Sequence, residues 1–99
     1  MITVSVMYPN TEGSKFDMDY YLDKHIRLVH ELMDDAGLSG TRVQKGVGKD
    51  APYQVVAELQ FPDMETMAKV MGEHGPKATA DVPNFTDVTP VVQIAETIA

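Results

Sequence analysis

The chain has 99 residues, of which 43% are apolar and 23% charged, with a formal net charge of −7 and no cysteine. That length gives a single domain spanning residues 1–99, with the composition of a globular chain rather than a disordered one. The acidic balance disfavours nucleic-acid backbones and anionic membrane surfaces, and the missing cysteine removes disulfides, thiolate nucleophiles and zinc–sulfur sites together.

The N-terminus runs straight into strand-like alternation, with no basic or apolar leader region. No stretch approaches the roughly 20 apolar residues of a transmembrane helix. A cytoplasmic chain is expected. Ile2, Val4, Val6 and Tyr8 alternate with Thr3, Ser5 and Met7, the period of a half-buried strand. Pro9 to Ser14 is a turn-rich loop. Asp17 reads as an N-cap, with Phe16 and Tyr21 placed for a hydrophobic staple. The helix then runs to about Ala36 and stops at Gly37, a common residue just past a helix end. At 100° per residue, Met18, Tyr21, Leu22, His25, Ile26, Leu28, Val29, Leu32, Met33 and Ala36 share one face.

Thr41 to Val47 reads as a second strand, and Gly46 to Pro52 as the turn into a third, Tyr53 to Phe61. Pro62 and Asp63 start a second helix, which Gly72 and Gly75-Pro76 end or interrupt, with a further helical turn around Lys77 to Asp81. Asp87 to Thr97 carries the last strand. Pro90 within it lacks an N–H donor, so it is expected at an edge or a bulge. The order βαββαβ predicts an α+β, ferredoxin-like fold: a four-stranded antiparallel sheet with both helices on one face. The open face, including Thr3, Ser5, Met7, Val56, Glu58, Val91 and Gln93, suits either solvent or a wet dimer interface.

His25 is the most informative residue. It stands near the middle of the apolar stripe, where an unpaired imidazole is costly. It is either a core histidine bonded to a tyrosine or a carbonyl, or a pocket histidine serving as donor or general acid/base. Tyr8, Tyr21 and Tyr53 are candidates to line the same space, though each also serves as ordinary core. Asn10 lies in the loop after the first strand, where turn chemistry is the default. Asp87 is the carboxylate best placed to orient an imidazole, against the simpler reading of an exposed turn residue. His30 falls on the polar face, and His74 is expected just past the second helix. The histidines show no metal-binding spacing, so neither metal nor cofactor is expected. Gly46-Val47-Gly48-Lys49 fails as a phosphate loop: Val43 stands where glycine is needed and Asp50 where Ser or Thr should hold magnesium.

Three segments carry a family resemblance: Val4 to Asn10, Asp17 to His25, and Ala80 to Asp87 followed by Pro90 to Ile94. Together they resemble the EthD family over essentially the whole chain. The resemblance implies a dimeric α/β barrel with a pocket in each subunit between helices and sheet. It implies that His25 matches the recurrent histidine of helix one. The family is named for a component of ethyl tert-butyl ether degradation that accompanies a cytochrome P450 system. Its superfamily includes lactone isomerases and cofactor-independent monooxygenases. Family members often carry proline two residues after that histidine. Here the residue is Arg27, which implies a straighter helix one and an altered pocket. The leading expectation is a homodimeric protein that binds or converts a small apolar or lactone-like compound, with His25 as acid/base. The rival is a non-catalytic carrier or accessory protein of an ether-degrading P450 system.

Overall fold

A computed structural model describes residues 1–99. Four strands form one antiparallel sheet in the order β2-β3-β1-β4: β1 is Ile2–Pro9, β2 Gly40–Lys45, β3 Tyr53–Phe61 and β4 Val91–Glu96. The first helical rod has three parts, namely α1 (Met18–Tyr20), a π-helical turn (Tyr21–His25) and α2 (Ile26–Met33). The second is α3 (Met64–Asp81), followed by a 3₁₀ turn at Val82–Asn84. This is the ferredoxin-like α+β fold.

The alternation in β1 and β3 decides which face the helices cover. Ile2, Val4 and Tyr8 of β1 and Val55, Ala57, Leu59 and Phe61 of β3 are buried against Tyr21, Val29 and Met33 of the first rod and Met67 and Val70 of α3. Fully burying side chains of this size is worth about 1.5–3 kcal/mol each, which makes this layer the main source of stability. On the open face Met7 pairs with Val56 and Val91, and Ser5 with Glu58 and Gln93, as the period-two pattern requires.

Both helix starts follow their sequence signals. The Tyr20 amide donates to Asp17 Oδ1 at 3.0 Å, and the Thr66 amide to Asp63 Oδ1 at 2.7 Å. Phe16 and Tyr21 meet with ring centroids 5.1 Å apart, as a staple would place them. Gly37 ends the first rod with φ +133°, and the amides of Gly37 and Leu38 both donate to the Met33 carbonyl.

Four boundaries differ from expectation. The first rod is not a regular α-helix: the Ile26 amide bonds to the Tyr21 carbonyl, five residues back, so the chain widens where a straight helix is expected. Strand β2 ends at Lys45 because the Gly46 amide makes the last bond to the Gln54 carbonyl before the turn. Helix α3 passes through Gly72 and Gly75-Pro76 without a break. A proline clashes with the Cβ of the residue before it when that residue is helical, and Gly75 has none. His74 therefore lies inside the helix rather than past its end, with Nδ1 buried and without a partner. The last strand begins only at Val91, because 85–88 are held elsewhere (below). As expected, β4 is an edge strand, with Pro90 immediately before it.

A Gly37→Ala substitution tests the helix stop. A Cβ there would stand 2.5 Å from Thr66 Cγ2, on a backbone conformation that L residues rarely adopt. Denaturant unfolding is expected to show a loss of about 1–3 kcal/mol; an unchanged midpoint would contradict the account.

Candidate functional site

Between the two helical rods and the sheet lies a largely apolar cavity of about 560 Å³. Val6, Tyr8, Ala57 and Leu59 of the sheet form its floor, and Tyr21, His25, Val29 and Met33 of the first rod one wall. The opposite wall comes from α3, with Met71, Gly75 and Ala78. The segment from Val82 to Pro90 and Val92 of β4 complete the rim.

His25 enters this cavity only 6% exposed. Its ring lies 5.5 Å from that of Tyr21, nearly parallel at 17°, and 4.6 Å from that of Phe85. Tyr8, Phe16, Tyr21 and Phe85 form an edge-to-face aromatic cluster around it, with centroids 5.0–5.8 Å apart. The imidazole is held by one anchor: Nδ1 lies 2.9 Å from Asp81 Oδ2, at the last residue of α3. The other oxygen of that carboxylate accepts from the Tyr20 hydroxyl at 2.7 Å and from Asn84 Nδ2 at 2.9 Å.

The protonation pattern follows from these contacts. Burial pushes the Asp81 carboxyl up, but the hydrogen bonds from Asn84, Tyr20 and His25 and the charge of His25 outweigh it and hold the group below the usual carboxylate range. An ionised carboxylate can only accept, so His25 Nδ1 carries a proton and donates. In the neutral ring Nε2 is then the basic nitrogen. Burial, reinforced by the Asp81 charge, pushes the Tyr8 hydroxyl up to about 12. Tyr21 is raised as well, by burial and then by Tyr8. Both phenols stay protonated at neutral pH.

The π turn lets two side chains of one rod share the Asp81 carboxylate. Residues five apart on a regular α-helix point about 140° away from each other. The wider turn, closed by a bond across five residues, brings Tyr20 and His25 onto one side, and both reach Asp81.

The predicted site residues separate into two groups. His25, Tyr8, Tyr21 and Asp87 all line the cavity. Tyr53 and Asn10 do not. Tyr53 opens β3 opposite Pro9, and Asn10 spans two loops, its Nδ2 donating to the carbonyls of Lys49 and Ala51 at 3.0 and 2.9 Å. Asp87 does not orient the imidazole: its Oδ1 accepts from the Lys15 amide at 2.9 Å. Beside it, Thr86 donates to the Lys15 carbonyl, and the Asp17 amide bonds to the Phe85 carbonyl. These contacts tie the rim to the start of the first rod instead of extending β4. Asp81, Tyr20 and Asn84, the hydrogen-bonded set behind His25, are the residues that pattern reading misses. Their signal was faint: an Asp and an Asn three apart at the end of an expected helical turn. His30 is not free in solvent either, since its nitrogens bond Asp34 at 2.8 Å and Thr41 at 3.0 Å. No three His, Asp or Glu side chains gather into a set that could hold a metal ion. No helix is long and apolar enough to cross a membrane.

A model of the EthD domain matches residues 11–89. Among solved structures, an EthD-like protein from Ralstonia eutropha JMP134 is 33% identical, with a TM-score of 0.86 over 99% of this chain and 92% of that one. An ethyl tert-butyl ether degradation (EthD) family protein from Bacillus halodurans C-125 is 20% identical, with a TM-score of 0.78 over 99% of both chains. A candidate antibiotic biosynthesis monooxygenase from Bordetella bronchiseptica shares the fold, with a TM-score of 0.67 at 12% identity over 99% of this chain and 97% of that one. Curated proteins give no match.

Removing the anchor tests its role. Asp81→Asn is expected to destabilise the chain by about 1–3 kcal/mol at pH 7, because a charged acceptor of three hydrogen bonds is lost. The Asp81 pKa is depressed on folding, so its stabilisation is complete above the ordinary carboxylate pKa and is lost as pH falls through the lowered value. Denaturant midpoints of wild type and variant should therefore begin to converge below about pH 4 and meet only below the lowered folded-state value. A gap independent of pH would show that the carboxylate charge contributes nothing.

Proposed function

The chain belongs to the EthD family, and from that premise we propose that it binds a small apolar or lactone-like compound in the cavity and converts it, with His25 as the acid/base. One observation carries the reading: an apolar cavity of about 560 Å³ receives an imidazole whose Nδ1 is fixed on a carboxylate. The volume suits a small organic molecule, and the lining offers it mostly carbon. The Asp81 anchor fixes the tautomer and orientation of His25 and stabilises the ring once it takes a proton. Tyr20 and Asn84 hold Asp81, and are positioning residues rather than catalytic ones. Such a site moves protons, and proton transfer is sufficient for isomerase or lyase chemistry.

The accessory reading has support of its own. Both nearby carboxylates are already engaged, Asp81 on three side chains and Asp87 on the Lys15 amide. A binding protein serving an ether-degrading P450 system would need no second proton-transfer group. The two readings share the cavity and differ in turnover.

The chain is proposed to act as a homodimer. Edge strand β4 leaves Val91, Val92 and Ile94 46–57% exposed, on both of its faces. A monomer would present that strand to water, where an unpaired edge invites association.

His25→Ala separates enzyme from carrier. Turnover of a lactone is expected to fall by about 10²–10⁴-fold while binding survives; unchanged turnover would remove His25 as the acid/base. Binding in the wild type without any turnover would establish the accessory role. Sedimentation should give a dimer at micromolar concentration, and a folded monomer throughout would refute the assembly.

A further inference from the structure

Helix α3 is fastened at two places. Near its start Met67 and Val70 are buried in the core, and at its end Asp81 Oδ2 lies 2.9 Å from His25 Nδ1. Between these points the face turned to the cavity carries Met71, Gly75 and Ala78, so its side chains thin out toward the middle. Small residues on a helix often let a second helix come close. That is not their role here: a Cβ at Gly75 would meet only the Met71 methyl at 3.6 Å, an ordinary contact, and no atom of the first rod or the sheet within 4 Å. Gly75 also spares the chain a clash with Pro76, but Ala78 has no such reason to be small. The floor repeats the pattern, since Ala57 stands between Val55 and Leu59 on the covered side of β3. Close-packed interiors fill such gaps with larger side chains. Here small residues on two walls keep one gap open.

The strand register gives the floor its dimensions. Leu59 and Tyr8 mark its ends along the strands, with Leu59 level with Val4, so the two lie four residues apart, roughly 13 Å. Ala57, Val6 and Val92 lie side by side across three strands, roughly 10 Å in all. We propose that Ala57, Gly75 and Ala78 are the specificity-determining residues of the cavity, and that they admit an apolar compound as broad as a fused bicyclic ring system, with an oxygen substituent at His25. This inference rests on the cavity reading above and narrows its ligand class. A straight alkyl chain would follow the length of the floor and leave its breadth unfilled, and a single ring would fill neither. A larger side chain at Ala57 or Ala78 would project into the space that the second ring needs. The histidine does not set this limit, because it meets the oxygen whatever the size of the ring system behind it.

The test uses 2-naphthol and phenol, which carry the same hydroxyl and differ by one ring. Binding is followed by NMR titration of the protein amides, which tolerates weak ligands. The wild type is expected to bind 2-naphthol more tightly than phenol by about tenfold or more, as the extra buried carbon requires. Ala78→Leu should weaken 2-naphthol by about tenfold or more and change phenol by less than about threefold. Its thermal midpoint should hold or rise, because the leucine fills a void. Ala57→Val narrows the same space from the floor, with a residue that suits a strand, and should show the same split between the probes. Ala80→Leu, on the exposed side of α3, should alter neither affinity. If the wild type binds the two probes equally, if Ala78→Leu binds 2-naphthol as the wild type does, or if both cavity variants lose the two probes to the same extent, the inference is overturned and the cavity reading stands. If the wild type binds neither probe, both fall.

Discussion

One carboxylate ties the two halves of the molecule together. Asp81 ends α3, and the three side chains that bond to it come from the first helical rod and from the 3₁₀ turn. The two rods otherwise pack through apolar contacts, which are strong but tolerant of sliding. A hydrogen-bonded carboxylate has direction, so it sets the register of one rod against the other. It also decides the state of His25: a neighbour that can only accept forces the ring proton onto Nδ1. Packing, tautomer and site chemistry therefore share one physical cause.

The same group explains why a polar ring is tolerated on an apolar wall. A histidine among Tyr21, Val29 and Phe85 would be costly if it were alone. Here one nitrogen is satisfied from behind, and the other belongs to the cavity. The aromatic cluster around it adds stiffness, since edge-to-face rings resist rotation more than aliphatic chains do. The outcome is an imidazole with little freedom beside a space large enough for a ligand.

Much of the fold was legible because it rests on local rules. Period-two alternation located β1 and β3, capping aspartates marked both helix starts, and Gly37 marked a helix end. The misreadings arose where distant contacts override local preference. Gly75-Pro76 reads as a stop, yet the glycine removes the clash that would make it one. The run from Phe85 to Val88 reads as strand, yet its hydrogen bonds go to 15–17, some 70 residues earlier in the chain. At the site, the wheel found His25 and Tyr21 but left Tyr20 off their shared face. That assignment assumed 100° per residue, and the π turn breaks the assumption at the place where the site is built. Nor could Asp81 be chosen over Asp87 from spacing, because the choice depends on how the end of α3 meets the first rod.

The π turn also has a bearing on chain length. A turn closed across five residues holds one residue more than the α-helix around it would use. Deleting a single residue between Tyr21 and His25 would let the rod close as continuous α-helix. The segment before it would then swing by about 100° relative to α2. Tyr20 would turn away from Asp81 while His25 stayed in reach, and Phe16 would leave the aromatic cluster. The cavity would keep its floor, and the carboxylate behind its imidazole would lose the Tyr20 hydroxyl. In this fold, one extra residue in the turn is what lets Tyr20 and His25 share a single carboxylate.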